Sequence, residues 1–200
     1  MAGPPLFLKA CATPRGLVLA AVAVGAFAAL SHFAMIPAYR QITGFAPFDV
    51  QFPLSRFGVA VVLGAIGKGA ATQVYVLFAI TDLAYAAATA WFFTLLWVWL
   101  FAKVPMRLFA TLTRGGILLL PSYVVVTDLA AKAGFFRLLG GLSGPSYGAT
   151  IEFSVMAHRV AFALMDLRNY LTGAFLLLFA FGALARWRAK PASSAPPFPS

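Results

Sequence analysis

The sequence predicts an all-α integral membrane protein, a four-helix bundle with a short interfacial helix before its second span. Three observations carry this reading. The 200 residues are 62% hydrophobic and 10% charged, with a mean hydropathy of +0.90, too little charge to cover a soluble domain of this length. The apolar residues gather into four runs, each near or above the ~20 residues that a helix needs to cross a bilayer. The bases that make up the net charge of +10 lie at the ends of those runs. That is the pattern of orientation signals and contacts with anionic lipid headgroups, and not of nucleic-acid binding.

Taken in order, residues 1–15 form a short amino-terminal segment with Lys9, Arg15 and no acid. Residues 16–36 are the first run of spanning length. A basic start before an apolar stretch also describes a signal peptide, and Ala26-Phe27-Ala28 resembles a cleavage site. The run continues well beyond that point, so a retained helix is the reading adopted. A mitochondrial presequence is disfavoured by the scarcity of arginine. Pro37 is expected to end the helix and open a turn-rich loop with Pro47, Asp49 and Pro53. The segment from Leu54, with its glycines and Lys68, reads as an interfacial helix.

The second span is placed at 74–101, longer than the bilayer requires, so that it is tilted or projects. Its stretch WFFTLLWVW reads as a lipid-facing aromatic belt. The third span, 117–136, has Pro121 near its start, where a missing amide donor costs least. A glycine-rich turn follows, and neither it nor the glycines around Lys68 carry the ending of a phosphate-binding loop. The fourth span, 160–184, is stopped by Arg186, Arg188 and Lys190. Residues 185–200 are then a basic stretch and a Pro/Ser-rich tail that cannot build a core. The amino terminus, the loop after the second span and the carboxyl tail are wholly basic. The opposite side has fewer bases, offset by Asp49 and Glu152. Both termini are therefore expected in the cytoplasm.

Charges inside the spans are the main chemical signal, because each costs several kcal/mol in hydrocarbon unless partnered. Counting from the middle of each run puts Asp82 about 7 Å outward of centre and Asp128 near it, with Lys132 one turn further out. Asp166 and Arg168 fall about 6–9 Å outward in the fourth span, and His32 also lies on the outward side. Asp128 and Lys132 are four apart, acid first, the favourable same-face spacing. Asp166 and Arg168 are two apart and point to opposite sides of a helix. A cross-helix cluster of Asp82, Asp128, Lys132, Asp166 and Arg168 is expected, with Asp49, Lys68 and Arg159 available from the loops.

Other chemistries find little support. Cys11 is the single cysteine, which excludes an intrachain disulfide and reads as an incidental thiol, with palmitoylation as the alternative. His32 and His158 lack a metal-binding spacing, so neither a metal nor another cofactor is expected. No residue set specifies a catalytic nucleophile.

The loop PFDVQFPLS, the segment GAIGKGAATQVY and the opening FAITDLAY of the second span carry a resemblance. Together they resemble a widespread family of small, functionally uncharacterised membrane proteins with four helices. The resemblance covers most of 16–184. It matches an acid in the first loop at Asp49 and a Gly-basic-Tyr element at Gly67, Lys68 and Tyr75. It also matches acids in the second and third helices at Asp82 and Asp128. The sequence departs from the pattern at Ala131 and Lys132, where the family has Glu-Asn. The resemblance implies the architecture and no activity.

The function expected is therefore that of a non-enzymatic, multi-pass membrane protein, a small transport or lipid-binding unit with a polar cluster in its outer half. Its partners are the bilayer and anionic headgroups at the basic loops. The alternatives are an accessory subunit, paired with a membrane protein or with its own copies, and a lipid-modifying enzyme.

Overall fold

A computed structural model describes residues 5–51, 54–65, 69–103, 107–141 and 143–188. Lys68, Pro53, Lys190 and the tail from 189 lie outside the described residues, as do the side chains of Asp49, Arg186 and Arg188. The described residues are helical with connecting turns and contain no strand.

The chain opens with α1 (Leu6–Cys11), a helix unexpected from the sequence. Thr13 then caps α2 (Pro14–Leu30), accepting the Gly16 amide at 3.0 Å with Pro14 in the first turn. Pro37 does not end this helix. A π turn over Ser31–Met35, closed by the Ile36 amide on the Ser31 carbonyl, leads into α3 (Ile36–Thr43), where Pro37 sits in the first turn. The wider turn accommodates a proline ring that would meet the carbonyl four residues back in a regular helix. The helical segment therefore runs from Pro14 to Thr43. Gly44, in the left-handed region at φ 73°, terminates it.

After a 3-10 turn at Phe48–Val50 come α4 (Arg56–Ala65) and α5 (Ala70–Lys103). Then follow α6 (Arg107–Arg114), a 3-10 turn at Ile117–Leu119 and α7 (Leu120–Leu139), with Pro121 in the first turn of α7. The last helix, α8 (Ser146–Arg188), begins well before the expected 160, so His158 and Arg159 are helical and not in a loop. Among the described residues four helical segments are long and apolar enough to cross a bilayer, at 14–43, 70–103, 117–139 and 146–185.

Helix α5 is the hub. It packs against α1, α2, α3, α7 and α8, while α7 and α8 form the most extensive pair. That pair closes at Gly134, where an added Cβ would lie 1.9 Å from Ser154 Oγ, so a larger residue would force Ser154 to move.

Among the described residues three apolar clusters form, two of them at different heights along α5, α7 and α8. One joins Tyr39, Phe48, Tyr75, Phe78, Phe135 and Ile151, with Phe48 stacked on Phe135 at 4.8 Å. The other joins Trp97, Leu100, Phe109, Leu120 and Phe175. Trp97 is fully buried and its Nε1 donates to Thr172 Oγ1 at 2.9 Å. This corrects the reading of WFFTLLWVW as a lipid-facing belt: Trp97 is interior because α6 and α8 cover its face, and Trp91 is the exposed ring. Along α5, α7 and α8 alike, the residues between these two cores are 82–89, 124–128 and 161–168. The polar layer lies there, and Lys132, level with Ala131 of the first core, meets it through Asp82 and Asp128.

Candidate functional site

The layer is built around Lys132 of α7, which is 1% exposed. Its Nζ donates to Asp128 Oδ2, one helical turn earlier, at 2.6 Å. It also lies 2.8 Å from Asp82 Oδ2 on α5. One ammonium thus stands between two carboxylates on two helices, and each acid is largely enclosed, with side chains 20% and 15% exposed for Asp82 and Asp128. In an apolar setting such a bridge is mutually required: neither an isolated ammonium nor an isolated carboxylate is tolerated there. Asp82 makes no polar contact beyond this ion pair among the described residues.

Arg168 enters from α8 and is 5% exposed. Its Nε and Nη2 donate to Asn169 Oδ1 at 3.3 and 3.1 Å, and its guanidinium carbon lies 4.1 Å from the Phe93 ring centroid. No carboxylate pairs with it among the described residues. A neutral amide and an aromatic face stabilise a buried cation less than an anion would.

Asp82, Asp128 and Arg168 share one cavity of about 230 Å³. Asp82, Tyr85, Thr89, Asp128 and Arg168 supply polar lining, together with Ser31 and His32 of the π turn. Ala28, Ala86, Val124, Ala161, Phe162 and Met165 supply apolar lining. Helices α2 and α8 stand on either side without substantial packing against each other, since α2 rests on α5 and α8 on α7. This leaves a sideways slot, and the exposed His32 stands on its rim.

The loop after α3 closes one end. Val50 lines the cavity, and the loop is tied to α8 at two carbonyls. The Gln51 carbonyl lies 3.2 Å from His158 Nε2, and the Leu54 carbonyl accepts Arg159 Nε at 3.2 Å and Nη2 at 3.0 Å. A carbonyl partner requires the hydrogen on Nε2 of His158. Its Nδ1 is buried with no hydrogen-bond partner among the described residues.

Of the residues expected to converge, Asp82, Asp128 and Lys132 are in direct contact. Arg168 lines the same cavity. Asp166 does not join them: it is exposed on the outside of α8, with no ion pair among the described residues. Arg159 is engaged with the loop carbonyl. Asp49 is placed only by its backbone, in the turn Phe48–Val50, and Lys68 is outside the described residues. Tyr85, Thr89, Ser31 and His158 were not anticipated as site residues. The signal was available on α8: Ser154, His158, Ala161, Met165, Arg168, Thr172 and Phe175 repeat at alternating spacings of four and three, one continuous helix face. Compared with protein-family models, curated proteins and solved structures, the chain finds no match.

Proposed function

We propose that the protein is a multi-pass membrane protein whose four long helices cross the bilayer as a bundle, both termini cytoplasmic, and that its cavity binds the polar end of a membrane amphiphile. The orientation rests on the basic residues of α1, α6 and the carboxyl end, which accumulate on the side of the Trp97 core. The helix α4 then lies at the opposite interface.

The observation that carries the binding reading is the shape of the cavity with its lining. Charged and hydroxyl groups line the cavity together with apolar side chains, and the slot between α2 and α8 opens sideways. A water-soluble ligand needs no lateral slot, whereas a lipid needs an apolar exit for its chains beside a polar seat for its headgroup. The resemblance to small four-helix membrane proteins agrees with the architecture and adds nothing on the ligand. The test is native mass spectrometry of the protein released from detergent micelles. Bound lipid is expected on the wild type and lost in Ala86→Trp, which fills the cavity. Equal lipid retention by both would exclude the cavity as the site.

A second reading, an accessory or self-associating subunit, is favoured by Asp166. An exposed carboxylate at the height of the cavity is costly against lipid, and Asn169 and Tyr170, both exposed, lie on the same face of α8. A second membrane chain presenting a base to this face would remove the cost. Crosslinking from an Asp166→Cys variant in membranes distinguishes the two: a defined crosslinked species supports the subunit reading, and its absence leaves the face to lipid.

A further inference from the structure

The polar groups around the cavity are divided in a way that specifies a ligand class. Asp82 shares the Lys132 ammonium with Asp128 and keeps one carboxylate oxygen without a partner among the described residues. Arg168 carries a positive charge with no carboxylate partner among the described residues. The two groups line the same cavity from different helices, α5 and α8, and no contact joins them among the described residues. A ligand bearing both signs satisfies both at once.

Resting on the amphiphile reading above, we infer that the headgroup is zwitterionic, a primary ammonium joined to a phosphate by a short linker. Its phosphate is held by Arg168 and its ammonium by Asp82. Arg168 is suited to the anion because the guanidinium is planar, permanently charged and already desolvated, so binding carries little further desolvation cost. Asp82 is suited to the ammonium because one of its oxygens is committed to Lys132 and the other has no partner among the described residues. Tyr85, three residues on and on the same face, adds a hydroxyl to the same wall.

Size permits this choice. At ~30 Å³ per water the cavity of about 230 Å³ holds about eight waters, room enough for a phosphoethanolamine group. A trimethylated ammonium fits poorly for a separate reason: it has no N–H to give to the carboxylate.

The wild-type protein tests this without any variant. It is reconstituted in nanodiscs holding phosphatidylethanolamine, phosphatidylcholine, phosphatidylglycerol and diacylglycerol in equal amounts, and the lipid retained on release is identified. Phosphatidylethanolamine is expected at about tenfold or more over each of the others, the worth of one charge-assisted hydrogen bond. Asp82→Asn is expected to bring phosphatidylethanolamine and phosphatidylglycerol to parity. Arg168→Gln is expected to lower both against diacylglycerol, and Arg168→Lys to recover part of the loss. Retention of phosphatidylglycerol or diacylglycerol equal to that of phosphatidylethanolamine in the wild type overturns the headgroup assignment and leaves the amphiphile reading standing. No retention of any lipid overturns both. Displacement of the bound lipid by free phosphoethanolamine keeps the headgroup chemistry and overturns the bilayer as its source.

Discussion

Lys132 of α7 lies 2.8 Å from Asp82 of α5, with Asp128 held at 2.6 Å by the same ammonium. The relation is unequal: Lys132 is 1% exposed, whereas both carboxylates keep an edge on the cavity. The lysine therefore has a structural part, and Asp82 keeps a carboxylate oxygen for a ligand.

Lys132→Met is expected to destabilise by about 3–5 kcal/mol, because two neighbouring carboxylates lose the cation between them. The triple variant that adds Asp82→Asn and Asp128→Asn is expected to regain most of the loss. Unfolding in mixed micelles with increasing denaturing detergent gives both numbers. Equal stability of the single variant and the wild type would mean that the bridge contributes nothing.

At the α7–α8 crossing, Gly134→Ala is expected to cost about 1–3 kcal/mol by overpacking. The Ser154 hydroxyl, which donates to the Thr150 carbonyl at 2.8 Å, cannot turn away without losing that bond. Ser154→Gly in the same chain should restore stability. The same unfolding assay, run as a double-mutant cycle, reads the coupling.

Trp97→Phe keeps the ring and removes the donor to Thr172 Oγ1. The expected loss is about 1 kcal/mol, the net worth of a neutral hydrogen bond, since Thr172 still donates to the Arg168 carbonyl at 2.8 Å. A fall in melting temperature larger than that of Trp91→Phe would separate the buried indole from the exposed one.

Glu152→Gln removes the carboxylate that accepts from Arg56, a pair whose side chains are 62% and 61% exposed. A solvated pair of this kind is worth about 0–1 kcal/mol. Thermal unfolding should scarcely shift, and should shift far less than for Lys132→Met.

How much of this was legible depends on which physical signal each feature leaves. Four long apolar helices follow from run length and composition alone, whatever the packing. The meeting of Asp128 with Lys132 follows from spacing along one helix. The reach of Lys132 to Asp82 is different, since it depends on which helices are neighbours, and nothing within either helix states that. Arg168 and Asp166 could have been told apart: the four-three stripe through His158, Ala161 and Thr172 includes Arg168 and excludes Asp166. Residue counting gives depth, whereas azimuth follows only from that stripe. Trp97 was misread because a tryptophan near a helix end has two good environments, a lipid interface or an interior with a hydrogen-bond acceptor, and only the position of Thr172 decides. Pro37 misled because its effect depends on the turn before it.

That π turn has a consequence for the geometry of the first long helix. A π turn carries one residue more than the α turn it replaces, so the two halves of the segment are offset in angular phase by about 100° from a uniform helix. Deleting a single residue from 31–35 would remove the offset. The half preceding it would then turn Ala28 away from the cavity and bring a different side chain to its wall. The identity of that wall is thus set by how many residues precede Pro37 as much as by which residues they are.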